Sequence, residues 1–239
     1  MGYQTQKGLT NQLDGIRNMG TRIHYEMTNE TIEFNGHTLH RIRCTESFCG
    51  VIKGALGGFI EGYENLCDNA WVGDEAKVYD GAFVNCQAHV CGHACVSHCA
   101  CISDRAIVAD NASVSGNVFI GGDARIFNYA LIKPARGTIV IKGATKIIGD
   151  AVIESKHDWI VFKNWWSSGR YFTWTRSNDM WAVGCFYGTG KELIARAYKD
   201  SSLSGQEYER VVKYVEQIKK GSKPSLWRRI LFSLSKLCK

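Results

Sequence analysis

Residues 70–114 read AWVGDEAKVYDGAFVNCQAHVCGHACVSHCACISDRAIVADNASV, and a single rhythm runs through them. An aliphatic side chain returns every sixth position, at Ile60, Leu66, Val72, Val78, Val84, Val90, Val96, Ile102, Val108, Val114, Ile120, Ile126 and Ile132. From Val72 onward alanine stands two places before each of these, with Val118 as the lone exception. Glycine, aspartate and asparagine crowd the intervening positions. A helix repeats every 3.6 residues and a simple strand every two, so neither gives this spacing. Short strands separated by tight corners do. Each side of such a coil needs an inward pair of small and branched residues and then a turn of Gly, Asp or Asn.

Inside that stretch, VCGHACVSHCAC (90–101) holds four cysteines and two histidines, with Cys86 and His89 just upstream. The register places them. His89, Cys95 and Cys101 immediately precede an inward aliphatic residue and so point outward from three successive sides. Cys91 follows Val90, and Cys86, His93, His98 and Cys99 fall at corners. Tetrahedral zinc needs four ligands converging at about 2.0–2.3 Å, which residues spread around a perimeter do not supply within one chain. The expectation is therefore no metal, unless packing of several chains gathers a histidine from each.

The chain has 239 residues, 45% of them hydrophobic and 22% charged, the balance of a globular protein with a substantial core. Its start, MGYQTQKGLTNQLDG, is polar, and no segment has the length of a membrane-spanning helix. Ten cysteines then suggest a reducing, cytoplasmic setting with few disulfides. The net charge of +6 is unevenly placed: residues 213–239 carry eight basic groups against Glu216, leaving residues 1–212 at −1.

Before the repeat, TIEFNGHTLHRIRC (31–44) sets Asn-Gly between two alternating runs, a hairpin signal, with Ile32, Phe34, Leu39 and Ile42 expected on one face. After Ile132 the register slips at KPARG (133–137) and resumes through TIVIKGATKIIGDAVI (138–153). Residues 157–190 are rich in tryptophan and alternate like strands. Two capping boxes follow, Thr189 to Glu192 and Ser204 to Glu207, each opening a helix. The segments expected are an extension (1–30), a capping hairpin (31–57), the repeat (58–156), an α+β domain (157–221) and a tail (222–239).

On these residues, 58–132 closely resembles the left-handed parallel β-helix family of hexapeptide-repeat proteins. The TIEFNGHTLHRI hairpin and the GCFYGT strand before a helix make residues 19–220 similar to phage- and prophage-encoded members of no agreed activity. The resemblance implies triangular coils of about eighteen residues, a left-handed tube and a homotrimer. Two outward columns at eighteen-residue spacing, Phe83, Cys101 and Phe119, and Trp71, His89 and Ile107, are the expected subunit interface.

Three readings of function follow. Many hexapeptide coils are acyl-CoA-dependent transferases, so acetyl-CoA is a conceivable cofactor, with His93, His89 or His98 as general base at a subunit interface. No long loop walls off a substrate pocket, however, and the preferred reading is a non-enzymatic binder with no cofactor. NWWSSGRYFTWTR (164–176) offers aromatic faces, hydroxyls and guanidinium groups to a small anionic, nucleotide-like ligand, through Trp166, Ser167, Ser168, Arg170, Tyr171 and Arg176. Alternating aromatics also simply build a core. Phage relatives suggest a purpose, sequestration of a host nucleotide signal as counter-defence. Third, SKPSLWRRILFSLSKLCK (222–239) places Leu226, Trp227, Ile230, Leu231, Leu234 and Leu237 on one helical face and basic residues on the other. That pattern suits an anionic membrane surface or packing on the protein's own body. Nothing here is a sequence-specific nucleic-acid motif.

Overall fold

The computed structural model describes residues 23–221. The N-terminal extension up to residue 22 and the basic tail lie outside the described residues. Strands of two or three residues stack into three parallel sheets that form the sides of a solenoid of about five turns. The first face carries Lys77–Val78, Cys95–Ser97, Ser113–Ser115, Leu131–Ile132 and Val152–Ile153; the second Phe83–Val84, Cys101–Ile102, Val118–Ile120 and Ile139–Ile141. The third carries Trp71–Val72, His89–Val90, Ile107–Val108, Arg125–Ile126 and Lys146–Ile147. Paired residues are eighteen apart in sequence, as in Lys77 with Cys95 and Cys95 with Ser113. The aliphatic and alanine columns fill the tube, and Val84, Val90 and Val96 have no exposed surface.

Apart from those after Ile60 and Ile132, the corners between successive strands rest on a residue in the left-handed backbone region, two places after the inward aliphatic. Asp68, Asp74, Asp80, Asp104, Asp110 and Asn128 occupy it with φ between 53° and 60°, and Gly92, Gly116, Gly122, Gly143 and Gly149 with φ between 67° and 86°. Only glycine takes this conformation freely; Asn, Asp and His tolerate it better than other side chains. The aspartates add a second service. Their Oδ2 atoms accept the backbone N–H of the corner one coil later: Asp68 from Cys86 at 3.2 Å, Asp74 from Gly92 at 2.8 Å, Asp104 from Gly122 at 2.6 Å and Asp110 from Asn128 at 2.9 Å.

The slip at 133–137 is a three-residue insertion. Beyond it the pairing step becomes twenty-one, with Ile120 on Ile141, Ile126 on Ile147 and Ile132 on Ile153. The extra residues bulge at one corner, so the stack continues.

Both ends are closed. At the start, β1 (Tyr25–Phe34) and β2 (His37–Cys44) form a hairpin that pairs antiparallel with β3 (Leu56–Ile60), the first strand of the first face. The hairpin begins six residues before the Asn-Gly pattern indicates, and it does not use one face. Leu39 and Ile42 are three apart, hence on opposite sides of β2. Leu39 packs with Phe59 and Tyr79 outside the tube, whereas Ile42 joins the tube core. The tip is pinned where His37 Nδ1 meets Glu61 Oε1 at 2.8 Å, while Glu61 Oε2 accepts the Asp80 N–H at 2.7 Å.

At the far end the ladder direction matters. Many backbone N–H groups at the strand edges bond to carbonyls of the following coil, as Lys77 does to Ala94 and His89 to Ala106. The last coil is therefore left with donors. Thr173 Oγ1 accepts from Lys146 at 3.0 Å, Ser177 Oγ from Val152 at 2.7 Å and Asp158 Oδ2 from Glu154 at 2.9 Å. These acceptors belong to a segment built on an antiparallel sheet of Trp159–Lys163, Tyr171–Thr175, Met180–Val183 and Phe186–Thr189, backed by α1 (Gly190–Asp200) and α2 (Ser202–Gly221). Phe172, Trp174, Trp181, Leu193, Tyr208 and Val215 form its own core. Thr189 and Glu192 make the expected capping box of α1. The start of α2 differs: the helix begins at Ser202, and Ser201 Oγ accepts the Ser204 N–H at 3.0 Å. Ser204 is thus inside the helix, and Glu207 pairs with Arg210 instead of closing a box.

Two tests follow from these contacts. A methyl group on Gly137 meets nothing within 4 Å, whereas on Gly122 it falls 2.6 Å from the Gly143 nitrogen; both residues have positive φ. Gly137→Ala should cost about 1–2 kcal/mol, the left-handed penalty alone, and Gly122→Ala distinctly more, read as the larger fall in thermal midpoint. The His37–Glu61 pair raises the imidazole above its ordinary 6.5 and lowers the carboxyl below 4.5, both chiefly through the hydrogen bond between them. The raised group stabilises fully below 6.5 and loses its effect as pH climbs through its folded value; the lowered group stabilises fully above 4.5 and loses it as pH falls. The difference in thermal midpoint between wild type and His37→Gln should therefore be widest between pH 4.5 and 6.5 and shrink on either side.

Candidate functional site

The end of the hairpin formed by Trp159–Lys163 and Tyr171–Thr175 carries most of the chemistry expected of residues 164–176. Lys163 pairs with Tyr171 across this hairpin, and the connecting turn is held by Asn164. The Asn164 amide is buried: Nδ2 donates to Tyr208 Oη at 3.1 Å, Oδ1 accepts the Ser167 N–H at 2.9 Å, and its backbone N–H donates to the Arg170 carbonyl at 2.8 Å. Strand alternation sends Ile160 and Phe162 toward the domain core, and the turn that follows brings Trp166 to pack on the same core. The Trp166 ring lies edge-on to Tyr208 at 5.0 Å and to Phe172 at 6.2 Å. Its Nε1 is buried without a hydrogen-bond partner among the described residues.

Trp165, in the same turn, is directed outward, with 74% of its surface exposed. Ser167, Ser168 and Arg170 are exposed beside it, Tyr171 is half-exposed, and the Lys163 ammonium sits 5.8 Å from the Tyr171 ring centre. No acidic residue occurs between 159 and 175. Among the described residues neither Lys163 nor Arg170 has a carboxylate partner. The tip thus offers two unneutralised cations, an open indole face and two hydroxyls.

Arg176 is not part of this cluster. It lies at the other end of the hairpin, where its Nε donates to the His157 carbonyl at 3.0 Å and its guanidinium rests 5.7 Å from the Trp174 ring. It closes the hairpin. Lys163, which the pattern of 164–176 leaves out, and Trp165, one of the aromatics of that stretch, stand at the tip instead.

The expected columns stack as the register requires. Phe83 and Phe119 flank Cys101, and Trp71 and Ile107 flank His89. They are not uniformly open, however. Trp71 is 7% exposed because Phe48 from the loop after β2 packs on its edge at 6.0 Å, and Cys101 is 6% exposed between two phenylalanines. Trp71 is therefore unavailable to a neighbouring subunit, while Phe83, Ile107 and Phe119 keep partly open surfaces.

The three histidines occupy separate places. His89 faces out from mid-strand on the third face, and burial lowers its imidazole pKa. His93 is exposed at the corner between third and first faces, and His98 at the corner between first and second. Asp80 precedes His98 by one coil, and its Oδ2 lies 3.5 Å from the His98 Nδ1. The eighteen-residue step already implied this pair. No three His, Cys, Asp or Glu side chains among the described residues converge to hold a metal ion.

A groove of about 750 Å³ runs along the remaining corner, past Asp68, Asn69, Cys86, Gln87, Asp104 and Arg105. Its charges are already engaged. Asp68 and Asp104 cap the corners below them, and Arg105 donates twice to Asp123, at 2.8 and 3.0 Å. The nine cysteines described are all free. Burial pushes Cys67 up to about 12 and Cys101 to about 11, so neither is a thiolate near neutrality.

Among known proteins, the chain matches no family model and no curated sequence. No described helix is long and apolar enough to cross a membrane.

Thiol labelling gives a direct check on this geometry. In brief alkylation at pH 7.5, read by peptide mass spectrometry, the exposed Cys49, Cys86, Cys99 and Cys185 should react first and the buried Cys44, Cys67 and Cys101 last. Rapid modification of Cys67 would contradict its burial against the corner.

Proposed function

We propose that this chain is a non-enzymatic binding protein that holds a small anionic, ring-bearing ligand of nucleotide type at the hairpin tip of residues 163–171. The observation that carries this reading is the exposed indole of Trp165 on the same hairpin tip as Lys163 and Arg170, neither of which has a carboxylate partner among the described residues. Aromatic faces stack on bases, and a lysine and a guanidinium complement phosphate. Ser167, Ser168 and the N–H groups around Gly169 add donors at the same turn, whereas the Trp166 ring packs into the domain core. Arg176 has no part in it.

The assembly in this proposal is a homotrimer of left-handed coils, with Phe83, Phe119 and Ile107 meeting between subunits. The resemblance to phage and prophage proteins supplies the purpose, sequestration of a host nucleotide signal. The setting is then the cytoplasm of an infected cell.

Native mass spectrometry of the full chain, purified from a phage-infected host, tests both parts. The expected result is three chains with a nucleotide-sized mass retained by wild type and by Arg176→Ala, and lost in Trp165→Ala and Arg170→Ala. A wild-type protein that carries no such mass and takes up no added nucleotide sinks the binding reading.

One observation favours a second reading. An imidazole held beside a carboxylate is the arrangement a general base needs, and His98 with Asp80 has it on an exposed corner. Under this reading the chain is an acyl-CoA-dependent transferase with acetyl-CoA as donor. Turnover of acetyl-CoA that disappears in His98→Ala would establish it over the first.

A further inference from the structure

A cavity of about 400 Å³ lies at the end of the antiparallel sheet opposite the hairpin tip, where Phe186–Thr189 runs into α1 and α2 packs alongside. The first turn of α1 makes one side of it. Leading N–H groups of a helix have no partner within the helix. Here Glu192 Oε2 accepts the Thr189 N–H at 2.8 Å and Thr189 Oγ1 accepts the Glu192 N–H at 3.3 Å, which leaves those of Gly190 and Lys191. The Lys191 side chain is exposed at the same turn.

Trp181 reaches this helix start from the sheet. Its side chain is 2% exposed, yet its Nε1 has no hydrogen-bond partner among the described residues and lies so near that a methyl group on Gly190 would fall 3.1 Å from it. Only a residue without a side chain allows that approach. Trp174, by contrast, spends its Nε1 on Asp179 Oδ1 at 2.9 Å. Trp181 therefore lines the cavity with a buried donor that the described protein leaves unused.

Asp179 and Glu216 give the cavity an acidic side. Asp179 Oδ2 and Glu216 Oε1 both bind Lys219 Nζ, at 2.6 and 2.8 Å, so two carboxylates share one ammonium. Glu216 Oε2 has no partner among the described residues. Ile194 and Val212 supply apolar lining. A helix start carries roughly half a positive charge, to which Lys191 adds. The cavity thus combines free donors in positive surroundings with a free acceptor in negative ones.

We infer that this cavity binds a free α-amino acid with an apolar side chain. The carboxylate meets the Trp181 and α1 N–H donors, the ammonium meets Glu216 Oε2, and the side chain packs on Ile194 and Val212. A doubly charged phosphate fits less well, because Asp179 and Glu216 repel it. The site is separate from the hairpin tip and does not rest on the ligand proposed there.

Titration of the full chain with L-leucine, followed by calorimetry and by the indole signals in proton–nitrogen correlation spectra, tests this. Trp181→Phe keeps an aromatic ring in the core and identifies the Trp181 signal. The expected result is a saturable site, a shift of that signal, and binding about tenfold weaker in Trp181→Phe and in Glu216→Gln, the loss of one hydrogen bond to a charged group. Leucinamide, which lacks the carboxylate, and N-acetylleucine, which lacks the ammonium, should bind at least as poorly. Thermal melting checks the fold of both variants; if Trp181→Phe is destabilised, the partly exposed Glu216→Gln and the ligand series decide alone. A wild-type chain that takes up no leucine overturns the proposal, as do equal affinities for leucine and leucinamide or an unmoved Trp181 signal. Saturation by inorganic phosphate with the same shift, and none by leucine, would overturn it in favour of a simple anion site.

Discussion

The tube exists because its backbone can turn left-handed at every sixth residue. A flat parallel strand gives no closed coil; three sharp corners per eighteen residues do, and nearly all of them use positive φ. That demand explains the composition of the repeat better than any property of its core. Aspartate, asparagine and glycine recur at the corners because other side chains strain there. Aspartate adds a carboxylate within reach of the N–H one coil below, so one residue both makes the turn and fastens it to the next. Cys86 and His98 stand at the same positions with φ of 58° and 61°. Histidine is among the tolerant residues, but cysteine is not, and nothing in the contacts of Cys86 explains its presence.

The repeat was legible because its signal is periodic and purely local. Thirteen aliphatic positions at one spacing define which side chains face in, which face out and which turn, and the pairing follows at eighteen. The same step joins Asp80 to His98, a contact that reading each hexad separately misses. What the sequence concealed lies where periodicity is short or parity is lost. Leu39 and Ile42 are both apolar, yet an odd separation in one strand sends them to different cores. Ser204 has a suitable acidic residue three places on, but Ser201 reaches the helix start first. Trp165 and Trp166 are adjacent and chemically alike; only the path of the turn that holds both decides which is core and which is surface.

The cysteine-rich segment shows how a fold can disarm a chemical signal. Its thiols are carried around a perimeter, some pressed between aromatic neighbours and some at exposed turns, and they do not converge. Reactivity then depends on burial and not on clustering. The hairpin tip works in the opposite direction. Asn164 is sequestered to fix the turn, and that anchoring leaves Lys163, Trp165 and Arg170 turned toward solvent on a rigid base. The histidines, by contrast, are anchored by the tube itself and kept apart by it.

A stack of identical coils has no inherent length, since every layer presents to the next what the previous one presented to it. Here the open donors of the final layer meet hydroxyls and a carboxylate from residues 158–177, and the first layer is met by an antiparallel hairpin that runs the wrong way to template another coil. The two lids therefore act as a ruler. They fix how many layers one molecule contains, and they keep separate molecules from joining end to end into a fibre.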